Sequence, residues 1–71
     1  MDLQDLRSDY QLKIMEYEDQ LRTMEENGVQ HFRQEGDGPL ANITEHIVAE
    51  YRRHIETYAA LIAQIDAMLG V

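Results

Sequence analysis

Apolar residues recur along this chain at steps of three and four. Leu3, Leu6, Tyr10, Ile14, Tyr17, Leu21 and Met24 are separated by 3, 4, 4, 3, 4 and 3 positions. A second run, Leu40, Ile43, Ile47, Tyr51, Ile55, Tyr58, Ile62, Ile65 and Leu69, has spacings of 3, 4, 4, 4, 3, 4, 3 and 4. An α-helix turns once in about 3.6 residues, so each run draws one stripe down one helix. Neither run holds a useful stretch of strict alternation, and no sheet is expected. Pro39 is the only proline, and good helix formers fill the intervening positions. The pattern predicts an all-α chain of two amphipathic helices.

The helix ends are set by glycine and proline. Asn27-Gly28 has the composition of a C-cap, because glycine accepts the left-handed conformation that closes a helix. Phe32, however, falls back in phase with Ile14, Leu21 and Gly28. Ending the helix at Asn27 leaves a long connector, which is uncommon in small domains. The preferred reading runs helix 1 from about residue 2 to about 34, with a weak point at Gly28 of about 1 kcal/mol. The turn, about 35–38, then lies in "EGDGP", and helix 2 covers about 39–69. Gly36 closes the first helix, Asp37 caps the second, and Pro39 occupies its first turn. A later start at Asn42, with Glu45 at capping-box spacing, is the alternative.

Residues 1–71 therefore read as one antiparallel two-helix hairpin. Two registers fit the seam. In the preferred one, paired numbers sum to about 72, so Leu3 meets Leu69, Tyr10 meets Ile62, Tyr17 meets Ile55 and Phe32 meets Leu40. Each tyrosine then faces an aliphatic side chain. The rival suits a long connector and stacks Tyr10 on Tyr58 and Tyr17 on Tyr51.

One hairpin leaves apolar residues over. Ile43, Leu61 and Met68 flank the second seam with His54 between them, while Leu12 and Met15 stand well off the first. The run "YAALIAQIDAMLGV" is apolar around more than half its circumference, which suits a helix with more than one neighbour. The economical solution is a symmetric homodimer forming a four-helix bundle. The candidate interface is Leu12, Met15, Ile43, His54, Leu61 and Met68. Such a chain is similar in architecture to the plasmid copy-control hairpins, which dimerise into four-helix bundles and bind RNA. Their RNA-binding face is basic and carries an aromatic residue, and this chain has no such face.

Charge narrows the partners. Fourteen acidic against six basic residues give a net charge of −8. That disfavours direct binding to nucleic acid and to anionic membranes, and favours protein partners with basic patches. No window approaches the length of apolar sequence that spans a bilayer. Cysteine is absent, which removes disulfides and thiolate metal sites and suits a reducing, cytoplasmic setting.

Candidate chemistry is thin. In "EHIVAEYRRHIETY", His46, Glu50 and His54 stand four apart, the spacing of side-chain neighbours on a helix. They are a weak metal candidate, because the stripe drifts about 80° over eight residues. The bland alternative pairs Glu50 with His54 and Arg52 with Glu56 on a solvated face. Ser8, the only serine, has no histidine near it in sequence, and no catalytic residue or cofactor is expected. The leading expectation is a non-enzymatic adaptor, chaperone or regulatory subunit that self-associates and docks a protein through an apolar helix face. The alternatives are an acidic inhibitor of a nucleic-acid-binding protein, resting on Asp2, Asp5, Asp9, Glu16 and Asp19, and a metal-binding helical bundle.

Overall fold

The computed structural model describes residues 2–70. Helix α1 spans Leu3–Asn27 and helix α2 spans Thr44–Leu69, and the two pack against each other as a hairpin. Asp2 caps α1, its Oδ1 accepting the Asp5 N–H at 2.8 Å. Gly70 ends α2 in the left-handed conformation, φ 75°.

The first helix is shorter than the apolar phase of Phe32 predicts. It stops at Asn27, not near residue 34, and α2 begins at Thr44, not near 39. Gly28 is the cause. Its φ of 61° and ψ of 30° turn the chain off the helix axis, and its N–H donates back to the Met24 carbonyl. The Val29 N–H reaches the same carbonyl at 3.0 Å. One helix-end acceptor, the Met24 carbonyl, thus takes both donors locally, as in left-handed C-caps generally.

The connector is ordered by a short ribbon that the apolar pattern gave no sign of. Strand β1, Phe32–Arg33, pairs antiparallel with β2, Ala41–Asn42. "EGDGP" does form a turn, but at the tip of this ribbon: Gly36 has φ 55°, and the Gly38 N–H donates to the Glu35 carbonyl at 2.9 Å. The base is fastened to α2 through Thr44. Its hydroxyl oxygen accepts the His31 N–H at 2.8 Å and lies 2.6 Å from Asn42 Oδ1. Asn42 Oδ1 also accepts the Thr44 N–H at 3.0 Å, and the Ile43 N–H donates to the His31 carbonyl at 2.9 Å. Asn42, not Asp37, therefore serves one orphan donor at the start of α2, the Thr44 N–H. Phe32 and Leu40, expected to close the seam, stand 55 % and 66 % exposed.

The seam itself follows the apolar stripes. From Leu3 to Met24, and from Ile43 to Leu69, every stripe residue is buried or half-buried. Among the described residues only Met24, Ile62 and Ile65 are buried outright, with Ile65 most enclosed at 3 % exposed. The tyrosines correct the preferred register. Tyr10 and Tyr58 lie with ring centroids 5.3 Å apart and Tyr17 and Tyr51 5.2 Å apart, the contacts of the rival register. At the open end Leu3, Leu6 and Leu69 share one hollow, as the preferred register has it.

Gly28 gives a direct check on the early helix end. A Cβ there meets nothing within 4 Å, so the strain of Gly28→Ala comes from the backbone alone. In the left-handed conformation the substitution destabilises by about 1–2 kcal/mol. Inside a continuous helix it would stabilise by about 1 kcal/mol. Urea unfolding of G28A against the parent chain should show the loss, and a gain would mean that the helix continues past Gly28.

Candidate functional site

The residues nominated from the sequence fall into separate groups. Leu12 and Met15 lie on the outer side of α1, 54 % and 62 % exposed. One turn of helix separates them, and shallow hollows beside them are lined by Ser8, Asp9, Glu16, Glu18, Asp19 and Arg22. Ser8 thus has acidic and apolar neighbours there and no histidine. On α2, Leu61 is half-buried against the seam, Ile43 occupies the N-cap position, and Met68 is 65 % exposed.

His54 is exposed rather than enclosed, yet one face of its ring is covered. The imidazole stacks on Tyr17 with centroids 5.2 Å apart and planes inclined by 27°. Tyr17 also contacts Tyr51 and lies 6.4 Å from Tyr58, so three rings of α2 gather round one ring of α1. Separations of about 4.5–7 Å are those at which aromatic pairs attract beyond simple area burial.

The metal candidate is not assembled. His46 Nε2 and Glu50 Oε1 are 3.0 Å apart, but His54 is engaged with Tyr17. Among the described residues no group of three or more His, Cys, Asp or Glu side chains is gathered closely enough to hold an ion. Helical drift separates the triad, as the eight-residue spacing requires. The solvated pairing is also different from that expected. Glu50 pairs with His46 and not with His54, and Arg52 and Glu56 form no ion pair. Elsewhere Lys13–Glu16 and Arg22–Asp19 form exposed pairs three residues apart on α1. Pairs of that kind stabilise little.

The polar contact that joins the two helices escaped the sequence reading. Arg7 forks onto Asp66, Nε donating to Oδ1 at 2.6 Å and Nη2 to Oδ2 at 3.3 Å. Both side chains are about two-thirds covered, with 32 % and 29 % exposed. Arg7 also donates through Nη1 to Gln11 Oε1 at 3.1 Å, which holds the guanidinium in place. The hydrogen bond from Arg7, with its positive charge, holds the Asp66 carboxyl below the ordinary aspartate range, and the same bond raises the Arg7 guanidinium. A signal was present: 7 and 66 sum to 73, one away from the preferred register. Both residues lie off the apolar stripes, so hydrophobic spacing does not show the pair.

No protein-family model matches this sequence, and no curated protein or solved structure shows significant similarity to it. No described helix is long and apolar enough to cross a membrane.

The ion pair makes a signed pH prediction. Asp66 titrates at a lower pH folded than unfolded, so the folded state binds fewer protons between the two values. The stabilisation is complete above the ordinary aspartate range, near pH 4. It is lost as pH falls through the depressed folded value. Unfolding free energies of the parent and Asp66→Asn should therefore differ most near neutral pH and converge in acid. A gap that stays constant with pH would remove the ion pair as its cause.

Proposed function

We propose that this chain is a non-enzymatic interaction protein: an acidic helical hairpin that pairs with a second copy into a four-helix bundle and docks a protein partner on a helix face left outside. Adaptor, chaperone and regulatory-subunit roles all use such a shape. The observation that carries the reading is the surface left uncovered.

A compact protein of 8.3 kDa exposes about 4,600 Å². This hairpin exposes 5527 Å², roughly 900 Å² more than that scaling gives. Its Cα radius of gyration is 16.2 Å, where a compact chain of this length has about 11 Å. The excess matches the area, about 800 Å² per partner, that a standard protein–protein interface covers. Large apolar side chains contribute to it, with Leu12, Met15, Phe32, Leu40 and Met68 all more than half exposed.

For the docked partner, the outer side of α1 is the better-fitted face. Leu12 and Met15 offer an apolar contact, and Asp9, Glu16, Glu18 and Asp19 rim it with net negative charge, although Glu16 and Asp19 are paired with Lys13 and Arg22. Carboxylates in that position favour a partner whose own apolar contact is ringed by Lys and Arg, with encounter rates that fall as salt rises.

Sedimentation equilibrium of the full chain tests the self-association. The expected mass is twice 8.3 kDa at micromolar concentration. A mass of one chain up to millimolar concentration contradicts the reading.

A further inference from the structure

We infer that the second copy binds along one flank of α2, antiparallel, so that the two α2 helices cross the centre of the bundle side by side. The inference rests on the self-association proposed above and specifies its surface.

Helix α2 carries more apolar columns than a hairpin needs. Thr44, Tyr51, Tyr58 and Ile65 form one seven-residue column, and Val48, Ile55, Ile62 and Leu69 form another. These two face α1, and all eight are buried or half-buried. A third column, Ile47, His54, Leu61 and Met68, runs beside them at the same spacing. Its exposure alternates along the column: Ile47 and Leu61 are half-buried, His54 is exposed with one ring face against Tyr17, and Met68 is 65 % exposed. Helix α1 has no equivalent, since its further columns read Asp5, Leu12, Asp19, Glu26 and Leu6, Lys13, Gln20, Asn27. A helix that is apolar on a third column beside its seam is built for two neighbours.

The other flank of α2 is already committed. Asp66 lies five residues beyond Leu61, about 140° around the helix. It is held there by Arg7 of α1. The ion pair and the third column therefore occupy opposite edges of the hairpin, and along the latter His54 keeps an exposed side beyond its stack on Tyr17 while Met68 lies open.

Charge selects the direction. The residues interleaved with the third column are Glu50, Thr57 and Gln64, again seven apart, so the flank reads 47, 50, 54, 57, 61, 64, 68. That is the alternation of three and four that makes a helix–helix seam. In a parallel pair Glu50 meets Glu50 of the other copy. Like charges so placed are unfavourable. In an antiparallel pair with its two-fold axis between His54 and Leu61, Glu50 comes opposite Gln64, and His54 comes opposite Thr57 and Leu61. No like charges meet, and the two helix dipoles oppose each other favourably.

The chain has no cysteine, so single introduced thiols report without background. The variants Glu50→Cys and Gln64→Cys are mixed, equilibrated and bridged with a short bismaleimide while sedimentation reports the mass. The expected result is a dimer whose dominant cross-link joins E50C to Q64C. Like positions are fourteen residues apart along the antiparallel pair, about 21 Å at 1.5 Å per residue, and should not link. Adding Met68→Asp to each variant should abolish the cross-link while circular dichroism shows the helices intact. Dominant E50C–E50C and Q64C–Q64C products mean a parallel pair and overturn the inference alone. A dimer that links at neither position means another face, which also overturns it alone. A monomer overturns the self-association with it.

Discussion

One apolar seam between two helices is the constraint on which everything else in this molecule depends. It is a single stripe on each helix, crossed at its middle by four tyrosines and a histidine and clamped nearer its open end by Arg7 on Asp66. Aromatic rings suit this position. They bring large area with few rotatable bonds, and their hydroxyl ends stay near water at the edge of a thin core. A seam of this kind cannot enclose much. Three buried side chains among the described residues are what two helices alone can shelter, and the shape that results is a rod 53 Å long.

The connector shows how such a seam is kept in register. Gly28 releases the chain from α1, and the Phe32–Arg33 and Ala41–Asn42 ribbon carries it out and back. Thr44 and Asn42 then lock the return strand to the first turn of α2. A connector stitched by backbone and side-chain hydrogen bonds positions α2 more firmly than a free loop of the same length would. It leaves Phe32 and Leu40 outside the seam, although their phase along the chain suggests otherwise.

The helical hairpin and nearly all of its seam were legible from apolar spacing, because a 3.6-residue period repeated over six or more turns has no competing explanation. The stripe residues from Leu3 to Met24 and from Ile43 to Leu69 face inward as the period requires. The failures have a common origin. Phe32 kept the helical phase by coincidence, and hydrophobic phase outweighed the cap signal of Asn27-Gly28. The ribbon was hidden because a two-residue ladder carries no periodicity, and its strongest bonds come from Thr44 and Asn42, which look like ordinary helix-start residues. The tyrosine contacts follow from the longer connector, whose register the rival pairing anticipated. Of the candidate site, exposure at Leu12 and Met15 was readable from their distance to the stripe, whereas Met68, expected to be covered beside the seam, is 65 % exposed in the single hairpin. The Arg7–Asp66 clamp and the covering of His54 by Tyr17 were not, since both depend on which flank of one helix meets which flank of the other.

A hairpin with one thin seam and roughly 900 Å² of surplus surface should owe part of its stability to a second copy. The most direct measurement is the thermal midpoint of helix melting as a function of chain concentration. For a folded state completed by association, the midpoint rises steadily with concentration, because mass action favours the dimer over two unfolded chains. A midpoint unchanged across a thousandfold range would contradict the account, and would mean that the seam holds the hairpin unaided.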